Sequence, residues 1–191
     1  MSQDISKPSL EVRAMKRDDM VTVHRLIHEL AKFEGVPDGP RLSVQVVVSR
    51  SEPNINECSS LIVLDLIEDG FECSCPWFFG LVACRGERVV GYALCNRAYS
   101  SWTRRAFYLE DLFVLPEERG SGVATIMIQE LCQMAVREGV HRVDWHVLED
   151  NETALRFYGK LGAVDMRRSE GRAALRLHRD RIEAVARGEM M

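Results

Sequence analysis

The chain has 191 residues, 46% of them hydrophobic, with 25 Lys and Arg against 29 Asp and Glu and a formal net charge of -4. That is enough for one full hydrophobic core and short of two comfortable domains, and the scattered basic residues exclude the electrostatic footprint of a nucleic-acid binder. Residues 1–9 are polar without an apolar core, and no apolar run approaches the roughly 20 residues of a membrane span, so a soluble cytoplasmic protein with no membrane partner is expected.

Taken in chain order, residues 10–15 alternate apolar and charged side chains as a half-buried strand does. Asp18 then reads as the N-cap of a first helix, in which Met20, Val23, Ile27 and Leu30 recur at helical spacing through Phe33 while His24, Arg25 and Glu29 face solvent. Gly35, Pro37 and Pro40 stop the pattern. Residues 42–48 are an ambiguous apolar run, and the polar stretch 49–60 reads as a loop or insertion. A second helix over 61–68 is expected to end at Asp69-Gly70, with glycine as its C-cap.

Strands over 78–84 and 88–96 flank Arg85-Gly86-Glu87, a hairpin signal, and 106–115 is a third strand. Three strands in succession predict an antiparallel meander rather than a doubly wound sheet. The period then changes: Val123, Met127, Leu131 and Met134 mark a helix to about Glu138, capped by Gly139. A strand over 141–148, a helix over 151–161 and closing strands over 163–166 and 173–177 complete a mixed α/β order. The expected organisation is one domain over 10–180 between a nine-residue N-terminus and a tail over 181–191, with an insertion at about 44–59.

The six cysteines are expected to be free thiols, because Cys73-Ser-Cys75 lacks the C-x-x-C spacing of zinc and redox sites. His24 and His28 are four apart without the H-E-x-x-H pattern or a third ligand. No metal site is expected.

Arg119-Gly120-Ser121-Gly122-Val123-Ala124 lies between a strand and a helix start, where unpaired backbone N–H groups and the helix dipole favour a phosphate. Gly120 and Gly122 let the backbone approach such a ligand, and Arg119 can add charge-assisted bonds. Without further context an ordinary glycine-containing loop explains the segment equally well. A P-loop is excluded, since no Gly-Lys-Ser/Thr follows.

The segment nevertheless resembles Q/R-x-x-G-x-G/A, the acetyl-CoA pyrophosphate signature of the GCN5-related N-acetyltransferases (GNAT). Upstream Tyr108-Leu109-Glu110-Asp111-Leu112-Phe113-Val114, and downstream Val147-Leu148-Glu149-Asp150-Asn151 continuing through Glu152-Thr153-Ala154-Leu155-Arg156-Phe157-Tyr158, are similar to the diamine and thialysine N-acetyltransferase branch, which includes spermidine/spermine N-acetyltransferases. Residues 30–34, 68–71 and 99–102 resemble it too, so the similarity spans nearly the whole chain outside about 44–59.

The resemblance implies a central, mostly antiparallel mixed sheet flanked by helices. It also implies direct attack of a substrate amine on acetyl-CoA in a ternary complex, without a metal or a cysteine nucleophile, and a homodimer whose C-terminal strands complete the partner's site. It assigns Glu110 as a base acting through water and Tyr158 as the acid that protonates the departing thiolate. Coenzyme contacts fall to backbone groups around Leu112, Phe113 and Val114, to the loop Arg119, Gly120, Ser121, Gly122, Val123 and Ala124, and to Asn151 and Tyr158. Substrate contacts fall to Glu34, Trp102, Glu110, Asp111, Glu170 and Arg172.

Chemistry bears on these assignments directly. An amine of the lysine type has a pKa near ~10.4, so on the order of one molecule in a thousand is neutral at pH 7 and a proton must be removed. Strand alternation turns Glu110 and Asp111 to opposite faces unless a bulge intervenes, while Tyr158 lies two helical turns beyond Asn151 on nearly the same face. The bland readings are a solvated strand residue for Glu110, an arginine partner for Asp111 and a packing residue for Tyr158.

Ser100 stands where the polyamine enzymes resembled here carry an acidic residue, and Tyr99-Ser100-Ser101-Trp102 is more similar to the thialysine-acetylating members. Arg172 replaces the tryptophan usual in the branch; it either pairs with a substrate carboxylate or is a solvated surface residue. The expected function is therefore acetyl transfer to a small primary amine, thialysine-like or a di- or polyamine. The alternatives are a non-catalytic acyl-CoA-binding module and an acetyltransferase acting on a protein amine.

Overall fold

The computed structural model describes residues 8–36 and 63–189; the expected run at 42–48 and the insertion at about 44–59 lie outside them. The chain divides into two compact units, Met1–His146 and Val147–Met191.

The first unit is built on a five-stranded sheet in the order β1 (Leu10–Ala14), β2 (Phe79–Arg85), β3 (Arg88–Ser100), β4 (Arg104–Val114) and β5 (Arg142–Trp145). The first four strands pair antiparallel as the expected meander, and β5 adds parallel to β4. A parallel neighbour needs a crossover connection, which is the helix α2 (Val123–Arg137). One sheet face packs Leu81, Ala93, Cys95, Phe107 and Leu109 against Val123, Met127 and Leu131 of α2. The other packs Val82, Tyr92 and Phe113 against Met20, Val23 and Leu26 of α1 (Met20–Phe33). Two apolar clusters on opposite faces explain why successive residues in β2 and β3 are both buried and why their sequences read as continuous apolar runs.

Several local expectations are corrected. The first helix is preceded by a 3-10 turn, Arg17–Asp19, and Asp19 rather than Asp18 does the capping work. Its Oδ2 accepts from the Lys16 N–H at 2.7 Å, and both its oxygens accept from Arg13 at 2.7 and 2.9 Å. That arginine holds the Asp19 carboxyl below its ordinary value despite burial. His24 is buried rather than exposed, with its Nε2 3.1 Å from that of His28, so the second imidazole satisfies a ring that otherwise faces apolar surroundings. Glu29 is half-buried.

Gly70 is not a helix cap. The helical turn over 63–67 continues as a π turn, Glu68–Glu72, and a Cβ at Gly70 would lie 2.5 Å from the Phe78 ring; close packing, not chain reversal, requires the glycine. The hairpin loop contains only Gly86 and Glu87, because Arg85 pairs with Arg88. Strand β5 ends at Trp145 instead of continuing to Leu148.

The second unit contains α3 (Glu152–Lys160), α4 (Met166–Glu170) and α5 (Arg179–Ala186). The closing strands are absent among the described residues. Asp165 instead accepts from the N–H groups of Arg167 and Arg168 at 3.0 and 3.4 Å and starts α4, while 172–178 form no regular element. An acidic N-cap thus overrides the alternating pattern. Helix α5 occupies much of the expected tail.

Gly80 tests the packing of the sheet. A Cβ there would lie 2.6 Å from Met15 Cε and 2.7 Å from the Ala93 carbonyl oxygen, and backbone cannot move aside as a flexible side-chain end can. Gly80→Ala should lower stability by about 1–3 kcal/mol, read as an earlier urea midpoint with an unchanged slope.

Candidate active site

The site in the first unit begins with a fault in the β3–β4 ladder. Leu94 pairs with Asp111 and the next residue, Cys95, with Leu109, which leaves Glu110 as an extra residue in a β-bulge. The consequence is a change of face. Phe107 and Leu109 point to the α2 side, so Tyr108 points to the α1 side; beyond the bulge the alternation restarts and Phe113 lies on the α1 side, with Asp111 two residues before it. The Tyr92 hydroxyl, on that same side, donates to Asp111 Oδ2 at 3.0 Å. The bulge thereby gathers Tyr108 and Asp111 on one face with Glu110 between them, exposed. It supplies the exception under which two consecutive acids can serve one site.

This face is acidic. Burial is the main force raising the Asp111 carboxyl to about 6; the Tyr92 hydroxyl opposes it, and the charges of Glu110 and Glu34 add to it. Glu34 is the exposed C-cap residue of α1; burial first, then Asp111, and least the charge of Glu34, raise the Tyr92 phenol. The expected arginine partner for Asp111 is replaced by a tyrosine. Among the described residues this half-buried carboxylate has no cationic partner and lies beside two further acids.

β5 pairs with β4 only along Ala106–Leu109, so the stretch with Leu112, Phe113 and Val114 is laddered to β3 and not to β5. Phe113 and Val114 are buried and Leu112 is half-buried. After Val114 the chain makes a 3-10 turn, Pro116–Glu118, and reaches the glycine loop. Gly120 and Gly122 have φ of 75° and 86°, left-handed values that side chains resist, and a Cβ at either would meet nothing within 4 Å. Gly122 is the N-cap of α2, so the first N–H groups of that helix, including those of Val123 and Ala124, follow the open turn.

The loop is anchored from below. Buried Glu118 accepts from Arg85 Nε at 3.0 Å, and its carbonyl accepts from Ser121 Oγ at 2.7 Å. Arg119 donates from Nε to the Val114 carbonyl at 3.0 Å, with its guanidinium 4.6 Å from the Phe33 ring centre and 5.5 Å from that of Phe113. This arginine therefore ties the loop to β4 and to the end of α1, a structural task its sequence position did not reveal.

At the far end of the β3–β4 hairpin, the Ser100 hydroxyl accepts from the backbone N–H of Trp102 and Thr103 at 3.2 and 3.3 Å, and the Trp102 side chain is exposed. The serine is a turn former there, not a charge.

In the second unit, Asn151 is the N-cap of α3, its Oδ1 accepting from the Ala154 N–H at 3.1 Å. Tyr158, half-buried on the same helix, stacks at an angle on Phe157, and burial pushes its hydroxyl up to about 12. Glu170 and Arg172 pair with each other at 2.6 Å across Gly171, which ends α4 in a left-handed conformation.

Two further groups were given no role of their own from sequence. Tyr92 is fully buried; a phenol inside an apolar strand needs a polar partner, a signal that could have pointed to Asp111. Tyr108 is hydrogen-bonded to Nδ1 of His146, the residue directly after β5, and no spacing announces a contact between residues so far apart in the chain. Among the described residues no cluster of three or more metal-ligating side chains occurs, and no helix is long and apolar enough to cross a membrane.

The chain matches the acetyltransferase (GNAT) family over residues 50–163. It is 33% identical over 93% of its length to thialysine N-epsilon-acetyltransferase of Mus musculus, covering 98% of that protein, and 27% identical over 92% of its length to spermidine/spermine N(1)-acetyltransferase-like protein 1 of Homo sapiens, covering 24% of that protein. Its fold is similar to an integron cassette protein from the mobile metagenome of V. cholerae, with a TM-score of 0.72 and 18% identity over 93% of this chain and 98% of that one. The aminoglycoside N-acetyltransferase AAC(6')-Iy, solved with CoA, has a TM-score of 0.61 and 16% identity over 90% of this chain and 95% of that one.

The raised Asp111 carboxyl has a consequence for stability. Its folded value of about 6 lies above an unfolded value near ~3.9, so the folded state holds the extra proton between those pH values and stability falls as pH rises through the window. Above pH 6 the ionised carboxylate costs about 3 kcal/mol. Asp111→Asn keeps an acceptor for Tyr92 and should therefore melt higher than the wild type at pH 8, with the difference gone at pH 4, as followed by thermal melts across pH.

Proposed function

From the premise that this chain belongs to the acetyltransferase (GNAT) family and is an N-acetyltransferase, we propose that it acetylates the primary amine of a small, amino-acid-like molecule such as thialysine. The observation that carries this reading is the bulge that puts Asp111 on a common acidic face with Glu34 while exposing Glu110 beside it. An ammonium group suits that face, since its charge would offset the burial, and the smaller repulsion from Glu110 and Glu34, that raise the Asp111 carboxyl. Ser100 is engaged in a turn and adds no charge. The acids available fit one ammonium better than a long polycation, which favours a thialysine-like acceptor over spermidine or spermine. The name borne by the Mus musculus relative points the same way.

Members of this family use acetyl-CoA. We assign its pyrophosphate to the loop of Arg119, Gly120, Ser121, Gly122, Val123 and Ala124, where positive φ and the helix start offer N–H groups to an anion, and its pantetheine arm to the backbone of Leu112, Phe113 and Val114, as an added strand. The Val114 carbonyl already accepts from Arg119, so that role falls more to Leu112. Asn151 contributes to coenzyme binding through its amide nitrogen, its oxygen being the helix cap.

Glu110 takes a proton from the substrate ammonium through water, and the neutral amine attacks the thioester carbonyl. Tyr158 gives its proton to the departing thiolate; a hydroxyl raised to about 12 is protonated at neutral pH and recovers its proton readily. Trp102, Glu170 and Arg172 are assigned to substrate recognition, with the Glu170–Arg172 pair opening when the substrate carboxylate reaches the guanidinium. A homodimer is part of the reading, supported by the exposed Leu175 and Leu177 of the second unit.

Thiol release from acetyl-CoA with thialysine, lysine, putrescine, spermidine or spermine tests this reading. Thialysine should be the best acceptor, and Tyr158→Phe should lower kcat by about 10²-fold while acetyl-CoA still binds. Release led by spermidine would move the substrate to polyamines, and coenzyme binding without amine-dependent release would leave a binding module or an acceptor on a protein.

A further inference from the structure

An ammonium group loses two protons on its way to an amide: one to become nucleophilic, and one from nitrogen after the N–C bond has formed. Only one is restored to the products, on the coenzyme sulfur. The acetyl-transfer reading above provides one acceptor, Glu110, and leaves the second removal without a group.

The first unit supplies a candidate. Tyr108 lies two residues before Glu110 in β4, on the α1 face that also carries Asp111. It is half-buried, and its hydroxyl is hydrogen-bonded to His146 Nδ1. The last rung of the β4–β5 ladder is Leu109 with Trp145. Tyr108 therefore sits one residue before the strands part and His146 one residue after, so the pair bridges the mouth of the opening whose β4 wall is Glu110 and Asp111. The imidazole is exposed and can pass a proton to water. A buried phenol alone is a poor base, but a phenol donating to an imidazole nitrogen can accept at oxygen while giving up its own hydrogen.

We propose that Tyr108 and His146 form the second proton acceptor of the acetyl-transfer reaction. Attack of the amine forms the N–C bond. As the tetrahedral species collapses the C–S bond breaks, the remaining surplus proton on nitrogen moves to the Tyr108 oxygen, and the Tyr108 hydrogen moves to His146 Nδ1. The imidazolium then releases a proton to solvent. Tyr158 gives one proton to the sulfur and is restored by the proton that Glu110 took, passed through solvent, so the sum is ammonium plus acetyl-CoA to amide, free thiol and one released proton. Tyr108 touches the reacting nitrogen; His146 acts through Tyr108 and is a positioning and relay residue. This proposal rests on the acetyl-transfer reading and goes beyond it.

The test is steady-state kinetics of His146→Ala, His146→Gln, Tyr108→Phe and the Tyr108→Phe/His146→Ala double variant, with the best acceptor amine. Each single variant should lose about 10²-fold in kcat with KM for acetyl-CoA unchanged. The double variant should be no slower than the slower single one, because the two groups act as a unit. Losses that multiply, a His146→Ala or His146→Gln variant with wild-type kcat, or a KM for acetyl-CoA that rises in step with the fall in kcat would each overturn the relay. A wild type that turns over any amine while the variants behave so would leave the acetyl-transfer reading standing; a wild type that releases no thiol with any amine would overturn both.

Discussion

The site in the first unit depends on one extra residue in β4. In an unbroken strand Asp111 would share a face with Leu109 and Phe107 and be driven into the cluster beneath α2, where an anion has no partner. By placing Glu110 outside the ladder, the bulge turns every later residue over. Phe113 then packs toward α1, Asp111 reaches the Tyr92 hydroxyl, and the end of α1 brings Glu34 close enough to act on both. A one-residue slip that would ordinarily destroy a register is here confined to one rung and builds the acidic face.

The same strand carries the second constraint. Between β4 and α2 the chain must turn sharply and present N–H groups, which calls for left-handed glycines with little intrinsic preference for that conformation. The fixing comes from beneath: the Arg85–Glu118 pair, the Ser121 bond to the Glu118 carbonyl, and Arg119 folded back onto Val114 between two aromatic rings. Side chains that read in sequence as solvent or ligand groups are spent on holding backbone in place. That is a preorganised arrangement, in which a ligand need not supply the ordering of the loop.

The meander, the helix after the glycine loop and the strand–loop–helix order were legible because their periodicity is strong and their punctuation plain, as in the regular spacing of Val123, Met127 and Leu131 and the stop at Gly139. The motif residues from Tyr108 to Tyr158 were legible as a pattern. The physical relations between them were not. Alternation gives a face only if the register is unbroken, and nothing local in Leu109-Glu110-Asp111 marks a bulge. Short elements failed for a related reason: 163–166 and 173–177 alternate as strands do, but an Asp165 cap and the lack of a neighbouring strand decide otherwise. The His24–His28 and Tyr108–His146 contacts show the limit from another side, since a partner that satisfies a polar ring is a tertiary fact.

The electrostatics of the acidic face bear on selectivity. Asp111 is held near the midpoint of its titration at about pH 6 because burial and two neighbouring acids oppose its charge while a single phenol favours it. A neutral guest on this face leaves that opposition in place. A cationic guest removes it, by supplying the charge that the surrounding protein withholds, and so gains free energy both from its own contact and from the ionisation it permits. On the proposed reading, this is how the face distinguishes ammonium from uncharged groups of similar shape. On that same reading, acetylation abolishes the positive charge on the nitrogen, returns Asp111 to its opposed state and weakens the hold on the product at the moment when release is required.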